Sequence, residues 1–231
     1  RALNQQAADA DTYNVAIGNQ AGYSVTTGVR NTLIGGLAGD ALTTGGYNVA
    51  IGYLALSAED GNGRNVAIGN NTLMTQNAGS EAYNVAIGFA AGEAVTTGTQ
   101  NTLIGGLAGD ALQGGERNVA IGTYALSSED GDGYNVAVGH SALLNQNAGA
   151  TAYNVAVGYS AGSQITTGVS NTFLGAQAGD AITTAGYRGV IGQLALTSED
   201  TAQYNTAIGY KALYTQNGGV ANTVIGFQAG Q

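Results

Sequence analysis

Apolar and polar positions alternate in one short figure that the chain writes thirteen times, Asn-(Val/Thr)-x-(Ile/Val/Leu)-Gly. It begins at Asn14, Asn31, Asn48, Asn65, Asn84, Asn101, Asn118, Asn135, Asn154, Asn171, Arg188, Asn205 and Asn222. Only Arg188 breaks the opening Asn, and it brings Gly189 where other copies have Val or Thr. The spacing is constant, the step from Asn14 to Asn31, except where it lengthens by two from Asn65 to Asn84 and from Asn135 to Asn154. A strand this short cannot bury its apolar face alone, but stacked on its own copies it can. The pattern therefore predicts an all-β parallel β-solenoid.

Within a rung, the fourth position is always a large aliphatic, as in Ile17, Ile34 and Val138. With the Val or Thr two positions earlier it defines one strand face. The third position, on the other face, is never polar: mostly Ala, with Leu33, Leu103 and Phe173 recurring every fourth rung. A strand apolar on both faces is expected to be buried on both. One face fills the lumen, and this reading gives the third-position face to a partner copy. Leu33, Leu103 and Phe173 are then the expected trimer-interface residues.

The fifth position is Gly in all thirteen rungs, which predicts a positive φ or no room for a β-carbon. The ninth position sorts rungs into two kinds. Gly22, Gly39, Gly92, Gly109, Gly162 and Gly179 are each followed three positions on by an aliphatic, whereas Leu56, Leu73, Leu126, Leu143, Leu196 and Leu213 place it directly. The kinds alternate in pairs, giving a supercell of four rungs, 14–83 in its first copy and 84–153 in its second. Each rung has room for two short strands and two turns, a flattened two-sided roll. At a parallel spacing of about 4.8 Å, thirteen rungs predict a rod roughly 60 Å long. The opening Asn residues fall in register and are expected to form an amide ladder. The repeat domain spans 13–231. The lead, 1–12, lacks the motif, and Leu3, Ala7 and Ala10 at helical spacing suggest a short helix or stalk end.

Glycine at 39 residues with no proline would suit a disordered chain, but 44% of residues are hydrophobic and 9% charged. The glycines also sit at fixed phase, as turn residues do. Net charge is −9 with six basic residues, which argues against nucleic-acid binding and against attraction to an anionic membrane. No apolar run is long enough for membrane insertion and no secretory signal is present. With no cysteine there is neither a disulfide nor a thiolate site. Starting at Arg1 and stopping within a rung, the chain reads as a piece of something longer.

The NVAIG–xxAG–TTG pattern of Asn14–Gly28 and Asn84–Gly98, and the segment Asn205–Tyr214, resemble repeats of bacteriophage tail fibres and of trimeric autotransporter adhesin heads. The resemblance covers 14–231. It implies a left-handed roll, a homotrimer, and a place in an extracellular fibre, on a virion tail or a bacterial surface, that contacts a cell.

Candidate chemistry is sparse. The acidic turns Glu59-Asp60-Gly61-Asn62, Glu129-Asp130-Gly131-Asp132 and Glu199-Asp200 could offer oxygens to calcium, though their spacing fits no known calcium loop, and solvated turns are the plainer reading. Asp40, Asp110 and Asp180 raise glycoside hydrolysis by paired carboxylates, but they are copies of a repeat, whereas an active site adds distinct groups. The single His140 has no second histidine to support a triad or metal site and reads as a surface residue. Arg188 could cap the polar column or bind an anion, with a neutral surface substitution the simpler alternative. Thr pairs such as Thr26-Thr27 form too broken an array for ice binding. The tyrosines beside the motif, Tyr13, Tyr47, Tyr83, Tyr134, Tyr153, Tyr187 and Tyr204, are candidate receptor or glycan contacts, or corner packing. The chain is thus expected to be no enzyme, to hold no cofactor or metal, and to serve as a structural fibre shaft. A glycan-binding adhesin head is the rival reading; an ice-binding protein and a glycan-degrading spike stand behind it.

Overall fold

The computed structural model of the chain describes residues 1–7, 11–131, 133–198, 203–215 and 218–230. It falls into two compact units, Arg1–Arg117 and Asn118–Gln231. In the first unit the motif forms β1 (Val15–Ile17), β2 (Thr32–Ile34), β3 (Val49–Ile51), β4 (Val66–Ile68), β5 (Val85–Ile87) and β6 (Thr102–Ile104). In the second it forms β7 (Val119–Ile121), β8 (Val136–Val138), β9 (Val155–Val157), β10 (Thr172–Leu174), β11 (Gly189–Ile191), β12 (Thr206–Ile208) and β13 (Thr223–Ile225). Within each unit every strand pairs in parallel with its sequence neighbour, like position on like position: Ala16 on Leu33, Leu33 on Ala50, Ala156 on Phe173. Each unit is therefore a parallel β-solenoid.

The strand faces are the reverse of the expected assignment. The third position points into the lumen, and the second and fourth point out. Leu33, Leu103 and Phe173 have 0% exposure within their own chain, so they form no interface between copies. The reason is a volume match across the lumen. A β-carbon built on Gly22 would lie 2.6 Å from Leu33 Cδ1, and one on Gly39 would lie 2.9 Å from Leu33 Cδ2. Gly162 and Gly179 stand the same way to Phe173, at 2.7 and 2.5 Å from its ring carbons. Where the ninth position is Leu56 or Leu73, the third is the small Ala50 or Ala67. The supercell is thus a packing rule: bulk enters the lumen from one side or the other. The ninth position is left-handed whichever residue fills it, with φ 55 at Gly39 and 54 at Leu56, so space rather than backbone strain selects glycine there.

Among the described residues each rung holds one strand, not two. The other side of the coil uses left-handed residues at fixed places: the residue before the opening Asn, the seventh position and the ninth. Tyr47 (φ 61), Leu54 (φ 56) and Leu56 (φ 54) show one set. Side chains rarely adopt this conformation, which costs roughly 1 kcal/mol or more each. Here rung-to-rung hydrogen bonds hold it: Tyr47 N–H donates to Val29 O (2.9 Å), Leu54 N–H to Gly36 O (3.1 Å) and Leu56 N–H to Thr72 O (3.0 Å). The two longer rungs loop their extra residues outward. Gly79 and Gly149 meet nothing within 4 Å while Val66 stays paired with Val85.

The Asn column is present, with bonding different from a plain amide stack. Each Oδ1 accepts the backbone N–H of the next Asn, as from Asn31 to Asn14 (2.8 Å) and from Asn101 to Asn84 (2.8 Å). In most rungs Nδ2 reaches across to a turn carbonyl, as Asn14 to Gly28 O (2.7 Å) and Asn154 to Gly168 O (2.8 Å). Asn135 Nδ2 instead donates to Glu129 Oε2 (3.4 Å), and Asn65 Nδ2 has no partner among the described residues. Asn is required because one short side chain must accept and donate at once inside the coil.

The lead is not helical over its described residues. Leu3 N–H donates to Ala21 O (3.0 Å) and Ala7 N–H to Thr26 O (3.1 Å). Leu73 to Ala91 and Asn77 to Thr96 repeat these bonds one supercell later, so the lead behaves as the end of a further long rung. Ala10 lies outside the described residues.

Candidate functional site

Three sets of side chains compete for a functional role: buried carboxylates, exposed aromatic columns, and the outward sheet face. Glu59 and Glu129 belong to the first and correct the solvated-turn reading. Both have 0% exposure, whereas Asp60 and Asp130 beside them are exposed. They occupy the lumen position that holds Val25 and Leu42 in other rungs. That frame was visible in the sequence, but the adjacent Asp and Gly made the segment look like an ordinary acidic loop. Glu59 Oε1 accepts the Asn62 N–H at 2.9 Å, and Oε2 has no hydrogen-bond partner. Burial, the largest cause, pushes its carboxyl above the usual range, with hydrogen bonds from Asn62 opposing it. The folded chain then holds this proton to higher pH than the unfolded chain. The stability is complete below the ordinary carboxylate value and is lost as pH rises through the raised folded one. Glu59→Gln is expected to stabilise the protein at pH 7 by about 1–3 kcal/mol, with the gain shrinking toward acid pH. Thermal melts of both proteins at neutral and acid pH check this; an equal gain at every pH would contradict it. Among the described residues no group of three or more His, Asp or Glu is placed to hold a metal. Asp132, Glu199 and Asp200 lie outside them.

Asp40 and Asp110 form no carboxylate pair. Both stand in the first unit, four rungs apart, about 19 Å by strand spacing, against the roughly 5–9.5 Å that glycoside hydrolysis uses. Burial, partly offset by a backbone hydrogen bond, raises the carboxyls of Asp40, Asp110 and Asp180 alike. Arg188 is 3% exposed, which rules out a surface substitution. It keeps the column's backbone bond, its N–H donating to Asn171 Oδ1 at 3.2 Å. His140 is exposed, as expected, with its ring stacked on Tyr159 at 5.6 Å and edge-on to Tyr124 at 6.0 Å. One hydroxyl of most Thr pairs is spent between rungs, as Thr26 Oγ1 to Thr43 O (3.2 Å) and Thr166 Oγ1 to Thr183 O (3.1 Å).

The tyrosines before the motif all stand in left-handed backbone at the coil corner. Tyr13, Tyr47, Tyr83, Tyr153, Tyr187 and Tyr204 are exposed and Tyr134 is half-buried. Their ring faces are largely taken. Tyr187 stacks on Tyr204 (5.5 Å), Tyr134 leans on Tyr153 (5.2 Å), and Arg30 and Arg64 lie over Tyr47 at 5.2 and 5.0 Å. A ligand at this column meets edges and hydroxyls, not open faces. Arg64 Nε bonds Glu81 at 2.7 Å, and the Tyr83 hydroxyl bonds the same carboxylate at 2.6 Å. Those hydrogen bonds, Tyr83 foremost, hold the Glu81 carboxyl below its usual range.

A second aromatic set, directly after the fifth-position glycine, escaped the sequence reading. Tyr53, Phe89, Tyr159, Tyr210 and Phe227 are exposed there, beside the outward second and fourth positions. Those three positions carry no Asp, Glu, Lys or Arg in any of the thirteen rungs, in a chain with 15 acidic and 6 basic residues. No family model matches the chain, and no curated protein or solved structure matches it either.

Proposed function

We propose that the chain is a structural shaft segment of a trimeric fibre on a virion or cell surface, involved in attachment to a host or surface. The observation that carries this reading is the outward sheet face. Within each unit, Val or Thr and Ile, Val or Leu repeat in register beside exposed aromatics, with charge excluded. Ile87 is 36% and Leu174 45% exposed in the isolated chain. A contiguous apolar face of this kind marks an interaction surface. Its uniform apolar columns suit a second copy of the same chain, since in a closed trimer each copy meets the next head to tail and one broad apolar face can supply both contacting patches. The number three, the left-handed coil and the extracellular setting come from the resemblance to tail fibres and adhesin heads. Mechanically, parallel backbone ladders and a close-packed lumen make each unit stiff, and apposed faces would shield the sheet from proteases.

Because the chain has no cysteine, one can be introduced cleanly. Ile68→Cys, on the outward face, is expected to give disulfide-linked chains on mild oxidation, while Ser57→Cys, away from that face, stays single on a denaturing gel. Equal cross-linking of the two would sink the interface placement.

A further inference from the structure

In the first unit a depression of about 230 Å³ opens beside Tyr47, between the corner column and the neighbouring turns. Gly46, Gly61 and Gly63 supply its space, and Thr44, Asn62, Glu81 and Val29 supply its chemistry. One supercell on, the sequence differs at the corresponding positions. Gly46 becomes Glu116, Tyr47 becomes Arg117, Thr44 becomes Gly114 and Glu81 becomes Thr151, and Glu116 and Arg117 pair at 2.9 Å. Gly61 and Gly63 persist as Gly131 and Gly133, and the third copy keeps Val169, Thr184, Gly186 and Tyr187 but carries Thr201, Ala202 and Gln203, so the full lining is written only in the first supercell.

The lining is arranged to accept and donate hydrogen bonds. Arg64 and Tyr83 both bond Glu81 at Oε2, so the carboxylate is oriented while Oε1 remains available. Asn62 is fixed through its backbone, by its N–H to Glu59 (2.9 Å) and by Asn48 Nδ2 to its carbonyl (3.2 Å). Its side-chain amide, with two donors and an acceptor, has capacity for a ligand. Thr44 adds an exposed hydroxyl that donates a long bond to Gly61 O (3.5 Å) and keeps its lone pairs to accept. Val29 and the edge of Tyr47 add apolar surface. Charge excludes the simplest ions. Arg30 and Arg64 flank Tyr47 and oppose a cation, and Glu81 opposes an anion. A neutral ligand rich in hydroxyls and bearing one apolar side satisfies all of these.

We propose that this depression binds a neutral pyranose, as a terminal unit of a glycan. The sugar's hydroxyls bond Glu81 Oε1, the Asn62 amide and Thr44, and its apolar side rests on Val29. An open, shallow site of few contacts implies weak binding by one unit, strengthened when several copies of the chain engage one glycan surface. The proposal goes beyond the shaft reading and stands or falls apart from it.

Saturation-transfer difference NMR on the whole chain, with glucose, galactose, mannose and N-acetylglucosamine as separate probes, tests it. At least one sugar is expected to receive saturation. That signal should fall to background in Gly46→Glu/Glu81→Thr, which borrows its residues from the sister copy. A β-carbon on Gly46 would lie 2.9 Å from Val29 O, so a melt confirms that the variant is folded, and Glu81→Thr alone should still weaken the signal. Thr44→Val, which replaces one exposed hydroxyl by a methyl, should weaken the signal with the melting temperature unchanged. No transfer to any of the four sugars, or undiminished transfer in the double variant, would overturn the site, whatever the oligomeric state proves to be.

Discussion

Gly35→Ala is expected to cost more than about 4 kcal/mol, while Gly36→Ala, one residue later, changes stability by no more than about 0.5 kcal/mol. The two glycines differ in what surrounds them. Gly35 has φ +136, and a β-carbon there would sit 2.3 Å from the Gly52 carbonyl oxygen on the next rung. That neighbour is backbone in the adjacent turn, which cannot withdraw without breaking the Gly52 N–H bond to Ile34 O (2.7 Å). Gly36 has ordinary φ, and its nearest neighbour would be Tyr53 Cδ2 at 3.4 Å, an ordinary contact with a side chain able to turn. Denaturant unfolding of the two variants measures the difference. Comparable stability would mean that the coil can open its rung spacing, and the close-packed account of the fifth position would fail.

The second large effect lies in the lumen. Phe173→Ala is expected to lose about 3–5 kcal/mol, because the ring is wholly buried and the coil cannot collapse along its hydrogen-bonded axis. Gly179→Ala alone should cost about 1–3 kcal/mol, since its new methyl would meet Phe173 carbons at 2.5 Å. The left-handed backbone adds roughly 1 kcal/mol of that cost but does not forbid a side chain, since Leu196 occupies the same position in the next rung at φ 51. Made together, the two changes should cost less than their sum by about 1–2 kcal/mol, the added methyl entering space that the ring has left. A double-mutant cycle by equilibrium unfolding decides it. Strict additivity would show that third and ninth positions do not share volume, leaving the four-rung supercell without a physical cause.

The repeat, the parallel stacking, the compulsory fifth-position glycine and the Asn column were legible in the sequence because each depends on periodicity alone. Which face looks inward was not. Val-x-Ile and Ala/Leu/Phe are both apolar faces, and only the partner across the lumen, Gly22 and Gly39 against Leu33, decides between them. The expected second strand failed for a different reason. Tyr, Arg, Leu and Ser at the corners give no hint of left-handed backbone, since the conformation is held by neighbouring rungs rather than by the residues themselves. Glu59 and Glu129 were hidden by their company: exposed aspartates follow them, and a lumen position filled elsewhere by Val25 and Leu42 took a carboxylate. Of the candidate contacts, the tyrosine column was found from sequence, but its mutual stacking was not, and the aromatic set at Tyr53, Phe89 and Tyr159 was missed because that position also admits Asn, Gly and His.

The mass of the intact chain in solution, by light scattering at neutral pH across a range of concentrations, bears most directly on the proposed assembly. Three chains per particle, stable on dilution, is the result expected if the charge-free outward face joins copies of a fibre shaft. A monomer at every concentration would contradict it, leaving that face in water and the shaft reading without its interface.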